Sequence, residues 1–233
     1  MDKDADSRRT MDLKTKLFAF AAIVLLIFLV GETAILLNLQ PGDVGTKSIR
    51  VACVGDSITA GTEYPVDLWQ LLGSDYVVGN FGIGGATVSL GTGSSWMNET
   101  GFEVAKRFQP EIVVIALGTN DANTNYNVTN ADFVHDYSVL IREFQALTSK
   151  PKVYLVLPPP IFVNNANISQ NFFTQNVIPS IRQVATNTSL PLIDAYAPLV
   201  NFPEYFGDGV HPNVQGAQKI ANAVYDALIL ARS

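Results

Sequence analysis

One cysteine and two histidines stand in 233 residues, and each scarcity removes a class of chemistry. A lone Cys53 cannot close a disulfide within the chain, and no Cys/His cluster of the kind that holds zinc can be assembled. Cys53 itself stands inside an apolar run, the usual setting of an inert buried thiol. No metal and no other cofactor is expected. Positive charge is scarce as well: 15 Lys and Arg against 21 Asp and Glu give a net charge of -6 and a pI near 4.8. That balance leaves no basic stripe to follow a phosphate backbone, so nucleic acid is not an expected partner. A dinucleotide fingerprint is incomplete, because Gly82-Ile83-Gly84 is followed by Thr87 where the third glycine is needed.

What is present is Gly55-Asp56-Ser57-Ile58-Thr59, directly behind the apolar run 51–54. This places Ser57 on a sharp turn where a buried strand ends. A serine hydroxyl is unreactive at neutral pH unless a base, an orienter for that base and donors for a developing oxyanion stand nearby. Asp208-Gly209-Val210-His211-Pro212 offers the first two. The i, i+3 spacing lets the Asp208 carboxylate curl back to the near ring nitrogen of His211, leaving the far nitrogen for a hydroxyl. His135 competes poorly, since it lies in a predicted helix and points about 200° away from Phe133 in the apolar stripe, which makes it a solvated residue. Gly118-Thr119-Asn120-Asp121 follows the apolar run 112–117, and Asn80-Phe81-Gly82-Ile83-Gly84-Gly85 follows 76–78. Asp56 and Asp121 read as turn and capping residues.

Four such blocks, in this order, resemble the SGNH hydrolases, the GDSL-like esterase family, over roughly residues 49–233. The resemblance implies Ser57 as nucleophile, His211 as base and Asp208 as orienting carboxylate. It implies an oxyanion hole made by the backbone amides of Ser57 and Gly85 and the side-chain amide of Asn120, with Gly84 as the alternative to Gly85. The wording GDSIT, GIGGAT, GTND and DGVHP, with Pro158-Pro159-Pro160 before the last block, is similar to sialate O-acetylesterase-like and carbohydrate acetylesterase domains. The implied activity is hydrolysis of short acyl esters, acetyl esters on carbohydrates first, through an acyl-enzyme on serine and without a cofactor. Alternatives on the same residues are lysophospholipid or thioester hydrolysis and O-acetyl transfer to a sugar. A surface-tethered glycan-binding protein with a dead site is the non-enzymatic one. Segments 91–101, 123–126 and 158–162 are candidate walls of the cleft, with Trp96 and Asn123 as candidate substrate-binding residues. Trp96 either stacks on a sugar or folds over its own loop.

The runs 51–54, 112–117 and 153–157 are apolar throughout rather than alternating, as in a parallel sheet covered on both faces. Helical stretches at 66–72, 131–147 and 172–185 separate or follow them, and a last helix carries the stripe Ala217, Ile220, Ala221, Val224 and Leu228. With 192–194 as the final strand, the pattern predicts a doubly wound three-layer α/β/α sandwich on a parallel sheet. This is the flavodoxin-like SGNH fold that the resemblance implies, and it brings every motif to the carboxyl ends of strands, where open parallel sheets place their sites.

The N-terminus differs in composition. A charged stretch, 1–16, with Lys3, Arg8, Arg9, Lys14 and Lys16, precedes an apolar run that is broken only at Glu32 and Thr33. Residues 17–39 are long enough for the ~20 residues a bilayer requires, and a small-x-small cleavage pattern is poor. The expectation is an uncleaved transmembrane signal anchor at 17–39, a cytoplasmic tail at 1–16, a linker at 40–48 and an extracytoplasmic hydrolase domain at 49–233. Secretion after signal-peptide cleavage is the alternative. Sequons at Asn98, Asn127, Asn167 and Asn187 accord with an outside location.

Overall fold

Strand β1, Ile49–Gly55, sends Val51 and Cys53 into one apolar core and Ala52 and Val54 into another, and all four are fully buried. A strand is apolar on both faces only where both faces are covered. The computed structural model of the chain, described over residues 48–164 and 167–230, shows what covers them. Strands β2 (Tyr76–Gly82), β3 (Ile112–Ala116), β4 (Lys152–Leu157) and β5 (Leu192–Asp194) join β1 in one five-stranded sheet. Every pairing is parallel, and the order is β2-β1-β3-β4-β5. This is the flavodoxin-like order, whose direction of winding switches between β1 and β3.

One face of the sheet is covered by helices α1 (Ser57–Gly61), α2 (Tyr64–Leu72) and α7 (Val214–Leu230). Ile58, Tyr64, Leu68 and Leu72 pack there with Ala217, Ile220, Ala221, Val224 and Leu228, the stripe expected of the last helix. The opposite face is covered by α3 (Thr100–Arg107), α4 (Asn130–Gln145) and α6 (Ile178–Thr188). A short helix α5, Gln170–Phe172, runs through one π-turn, Phe173–Val177, into α6. The second core joins Val113, Ile115, Val153, Leu155 and Leu157 of the sheet to Phe133, Tyr137, Phe144, Ile181 and Val184. The layers are those predicted, and His135 on α4 is exposed as its helical phase requires.

Two elements differ from the expectation. Strand β2 continues past 78 to Gly82, so Asn80 lies within the strand rather than behind it. Helix α3 is not predicted from the sequence: in its eight residues, TGFEVAKR, only Phe102 and Ala105 turn toward the core, too few to set a period. The predicted tail (1–16) and transmembrane anchor (17–39), and the predicted linker (40–48) up to residue 47, lie outside the described residues. Among the described residues, no helix is long and apolar enough to cross a membrane.

Candidate active site

Ser57 is the first residue of α1, and the local sequence explains its place. Asp56 caps the helix by accepting the Ile58 amide at Oδ1, 2.9 Å away. Gly55 before it has no alternative, since a Cβ there would fall 1.9 Å from Thr59 Oγ1 and 2.8 Å from the Ala116 carbonyl oxygen. The chain therefore turns from β1 into α1 directly against the end of β3. As a first-turn residue, Ser57 has a backbone N–H without an intrahelical partner, and the N-terminal helix dipole favours negative charge beside it.

The second turn follows α6 and β5. Asp208 Oδ1 accepts the amides of Val210 at 2.9 Å and His211 at 2.7 Å, and Oδ2 meets His211 Nδ1 at 2.6 Å. Gly209 holds φ at +80°, and a side chain there would press on Val163 and on the Phe162 backbone. That backbone braces the turn, because the Phe162 amide donates to the Gly209 carbonyl at 2.7 Å. Asn213 then caps α7 through the Gly216 amide. From this turn His211 Nε2 reaches Ser57 Oγ at 2.8 Å, across the carboxyl edge of the sheet.

The electrostatics fix the tautomer. Partial burial pushes the Asp208 carboxyl up, but the bonds from the His211 ring and from the His211 and Val210 amides outweigh it and hold the group at about 2. Asp208 is thus an anion at neutral pH. A neutral His211 must carry its hydrogen on Nδ1, which leaves the Nε2 lone pair to accept from the Ser57 hydroxyl. The arrangement can remove a proton from Ser57 and hold the resulting imidazolium. Asp56 behaves differently: burial pushes its carboxyl up to about 6, and the Ile58 amide holds it down only in part.

Across the site, the turn Asn120–Ala122 follows β3. Asn120 Nδ2 donates to the Ala86 carbonyl at 3.0 Å, which leaves its second N–H for another acceptor. The same bond ties the turn to the loop carrying Gly84 and Gly85. Both glycines are exposed, and Gly85 sits at φ +75°. Among the described residues, no group of three or more His, Cys, Asp and Glu comes together in a way that could hold a metal ion.

Residues 53–219 match the GDSL-like lipase/acylhydrolase family. The chain belongs to that family. This GDSL-like domain is 32% identical over 207 residues to an acetylxylan esterase of Xylanibacter ruminicola, with 78% of this chain and 43% of the relative covered. The chain therefore spans less than half the length of that curated relative. Among solved structures, the lipase/acylhydrolase of Enterococcus faecalis is 26% identical with a TM-score of 0.62, over 77% of this chain and 95% of that one. A GDSL-like lipase from Bacteroides thetaiotaomicron is 25% identical, also at 0.62, over 80% and 89%.

Two expectations about the walls of the GDSL-like site need correction. Trp96 cannot stack on a substrate: its side chain is fully buried, donates Nε1–H to the Phe81 carbonyl at 3.0 Å and meets Phe102 edge-on at 5.7 Å. The loop folds back so that the Trp96 amide donates to Thr87 and the Thr87 amide to Ser94, and this turns the indole inward. Pro158, Pro159 and Pro160 are also buried, so this part of 158–162 offers no surface to a substrate. Asn123 is partly exposed, with its Oδ1 accepting the Asn125 amide. Asp56 and Asp121 are turn residues as expected. Ser89, whose hydroxyl donates to Asp121, carries no signal in the sequence. No spacing signals it, because it meets Asp121 only through the fold.

Proposed function

We propose that this domain is a serine carboxylic ester hydrolase that removes short acyl groups, acetyl first, from carbohydrates. The observation that carries the reading is the unbroken relay from Asp208 Oδ2 through His211 to Ser57 Oγ, at 2.6 and 2.8 Å. His211 takes the proton as Ser57 Oγ attacks the ester carbonyl carbon. The Ser57 and Gly85 amides and Asn120 Nδ2 would receive the carbonyl oxygen as it becomes negative. His211 returns the proton to the departing alcohol, and water repeats the sequence on the acyl-serine to release the acid.

The substrate class rests on openness. The side chains of His211 and Asp208 are 45% and 56% exposed, and a Cβ at Gly84 or Gly85 would meet nothing within 4 Å. Such a site favours a small acyl group on a bulky, hydrated alcohol over a long chain that needs an apolar sleeve. The likeness to the Xylanibacter acetylxylan esterase supports the same class. Access of water to the relay favours hydrolysis over transfer to a second sugar. The test is a panel of p-nitrophenyl esters of rising chain length with acetylated xylo-oligosaccharides. The reading expects kcat/KM to be highest for acetyl and to fall from butyryl upward, and a preference for octanoyl or longer would refute it.

Residues 17–39 are proposed as a signal anchor that holds the domain outside the cell. The run of apolar residues behind five basic ones supports this, and Asn98, Asn127, Asn167 and Asn187 are all exposed, as glycan acceptors must be. Full-length protein in the membrane fraction, with the domain open to external protease, is the expected result. A soluble chain beginning near residues 32–45 would point to cleavage.

A further inference from the structure

Behind the candidate oxyanion donors lies a carboxylate that the proposed reaction does not use. Asp121 follows Asn120 in its turn and is 2% exposed. Its Oδ2 accepts the Val88 amide at 2.9 Å, and its Oδ1 accepts the Ser89 amide at 3.0 Å and the Ser89 hydroxyl at 2.7 Å. Burying a carboxylate is costly unless hydrogen bonds replace its water. Three converging donors do so, and the charge makes each bond stronger than its neutral counterpart. An asparagine could accept through one atom only and would turn an N–H toward one of these donors.

The residues that Asp121 grips belong to the loop that carries Gly85. Asn120 holds the same loop by the Ala86 carbonyl, and the Ala86 amide closes a turn onto the Ile83 carbonyl at 3.1 Å. A further buried carboxylate, Asp136 on α4, accepts the Leu90 amide at 2.7 Å. Gly85 itself has no side chain to pack and open space around it. The direction of its amide is therefore set by the ties on the residues that follow.

We infer that Asp121 is a positioning residue, which holds the loop 86–89 so that the Gly85 amide and the Asn120 side chain face one oxyanion. This rests on the esterase reading above. A purely structural Asp121 would stabilise the fold and leave the chemistry of each folded molecule unchanged.

The test uses the full chain with p-nitrophenyl acetate, and kcat is expressed per active site titrated with a serine-directed phosphonate. Asp121→Asn should lower kcat per titrated site by about 10- to 100-fold, short of the ~10²- to 10³-fold that follows full loss of an oxyanion donor. KM should stay within about twofold, because the oxyanion forms only as the reaction proceeds. Combined with Asn120→Ala, the loss should be smaller than the product of the single losses. Where Asp121→Asn fails to fold, Ser89→Ala removes one of the three bonds and keeps the carboxylate. It should lower kcat per site several-fold with KM unchanged. A lower melting temperature or fewer titratable sites, with kcat per site unchanged in both variants, overturns the inference. A wild-type chain that takes no phosphonate on Ser57 overturns the esterase reading and this inference together, which separates the two failures.

Discussion

Ser57 Oγ lies 2.8 Å from His211 Nε2 although 154 residues separate them in the chain. Two turns at the carboxyl edge of one sheet meet there, each fixed by an aspartate that accepts backbone amides. Asp56 caps the helix of the serine, and Asp208 curls under the histidine. The two carboxyls differ in kind: one is driven up by burial and the other held down by its donors.

Removal of the Asp208 charge should slow acylation strongly with little change in KM, and His211→Ala should be at least as damaging. The double variant should be scarcely worse than the worse single variant, because the residues act as a unit. Losses that multiply in pre-steady-state acylation rates would mean that Asp208 and His211 act independently.

Asn120→Ala should reduce kcat by ~10²- to 10³-fold, with KM changed far less. The bond to Ala86 is lost in the same variant, so loss of the oxyanion donor and loosening of its loop coincide. Steady-state kinetics on p-nitrophenyl acetate would show it, and a fall of less than threefold would remove Asn120 from the oxyanion hole.

The pH dependence follows from the two carboxyls. Asp208, at about 2, stays ionised through the working range, so an acid limb in kcat/KM above pH 4 does not report its protonation. Its contribution to stability is present above the unfolded carboxyl value and is lost as pH falls through about 2. Asp56 has the opposite sign. Its folded value of about 6 exceeds the unfolded ~3.9, so the folded state binds more protons across that window and stability falls as pH rises through it. Asp56→Asn keeps the cap acceptor and removes the titration. The unfolding free energy from urea titration at pH 7, minus that at pH 4, should therefore be about 2–3 kcal/mol larger in the variant than in wild type. An unchanged difference between the two pH values would show that Asp56 is not held up by burial.

Trp96→Ala should cost about 3–5 kcal/mol of stability, as expected for a large core side chain. The milder Trp96→Phe should leave KM for acetylated sugars unaltered. A selective rise in KM with normal thermal stability would put Trp96 back at the substrate.

Much of this was written locally in the chain. Unbroken apolar runs announced β1, β3 and β4, and the stripe from Ala217 to Leu228 announced α7, because burial on two faces or on one helical face leaves a period in the sequence. The relay was legible too, since the i, i+3 spacing of Asp208 and His211 is set within a single turn. What failed were relations made only by tertiary packing. Whether Trp96 faces solvent depends on a loop closing on Thr87, and the grip of Asp121 on Ser89 spans 32 residues without a motif. Helix α3 escapes a sequence reading because its inward face is only Phe102 and Ala105, too short a pattern to show a helical period.

The nucleophile is tested most directly by peptide mapping of the full chain after treatment with a serine-directed phosphonate. A single adduct on Ser57 is expected in the wild type, with none in Ser57→Ala and slower labelling in His211→Ala, while the circular dichroism of all three stays alike. An adduct on any other residue, or labelling that persists in Ser57→Ala, would contradict the assignment.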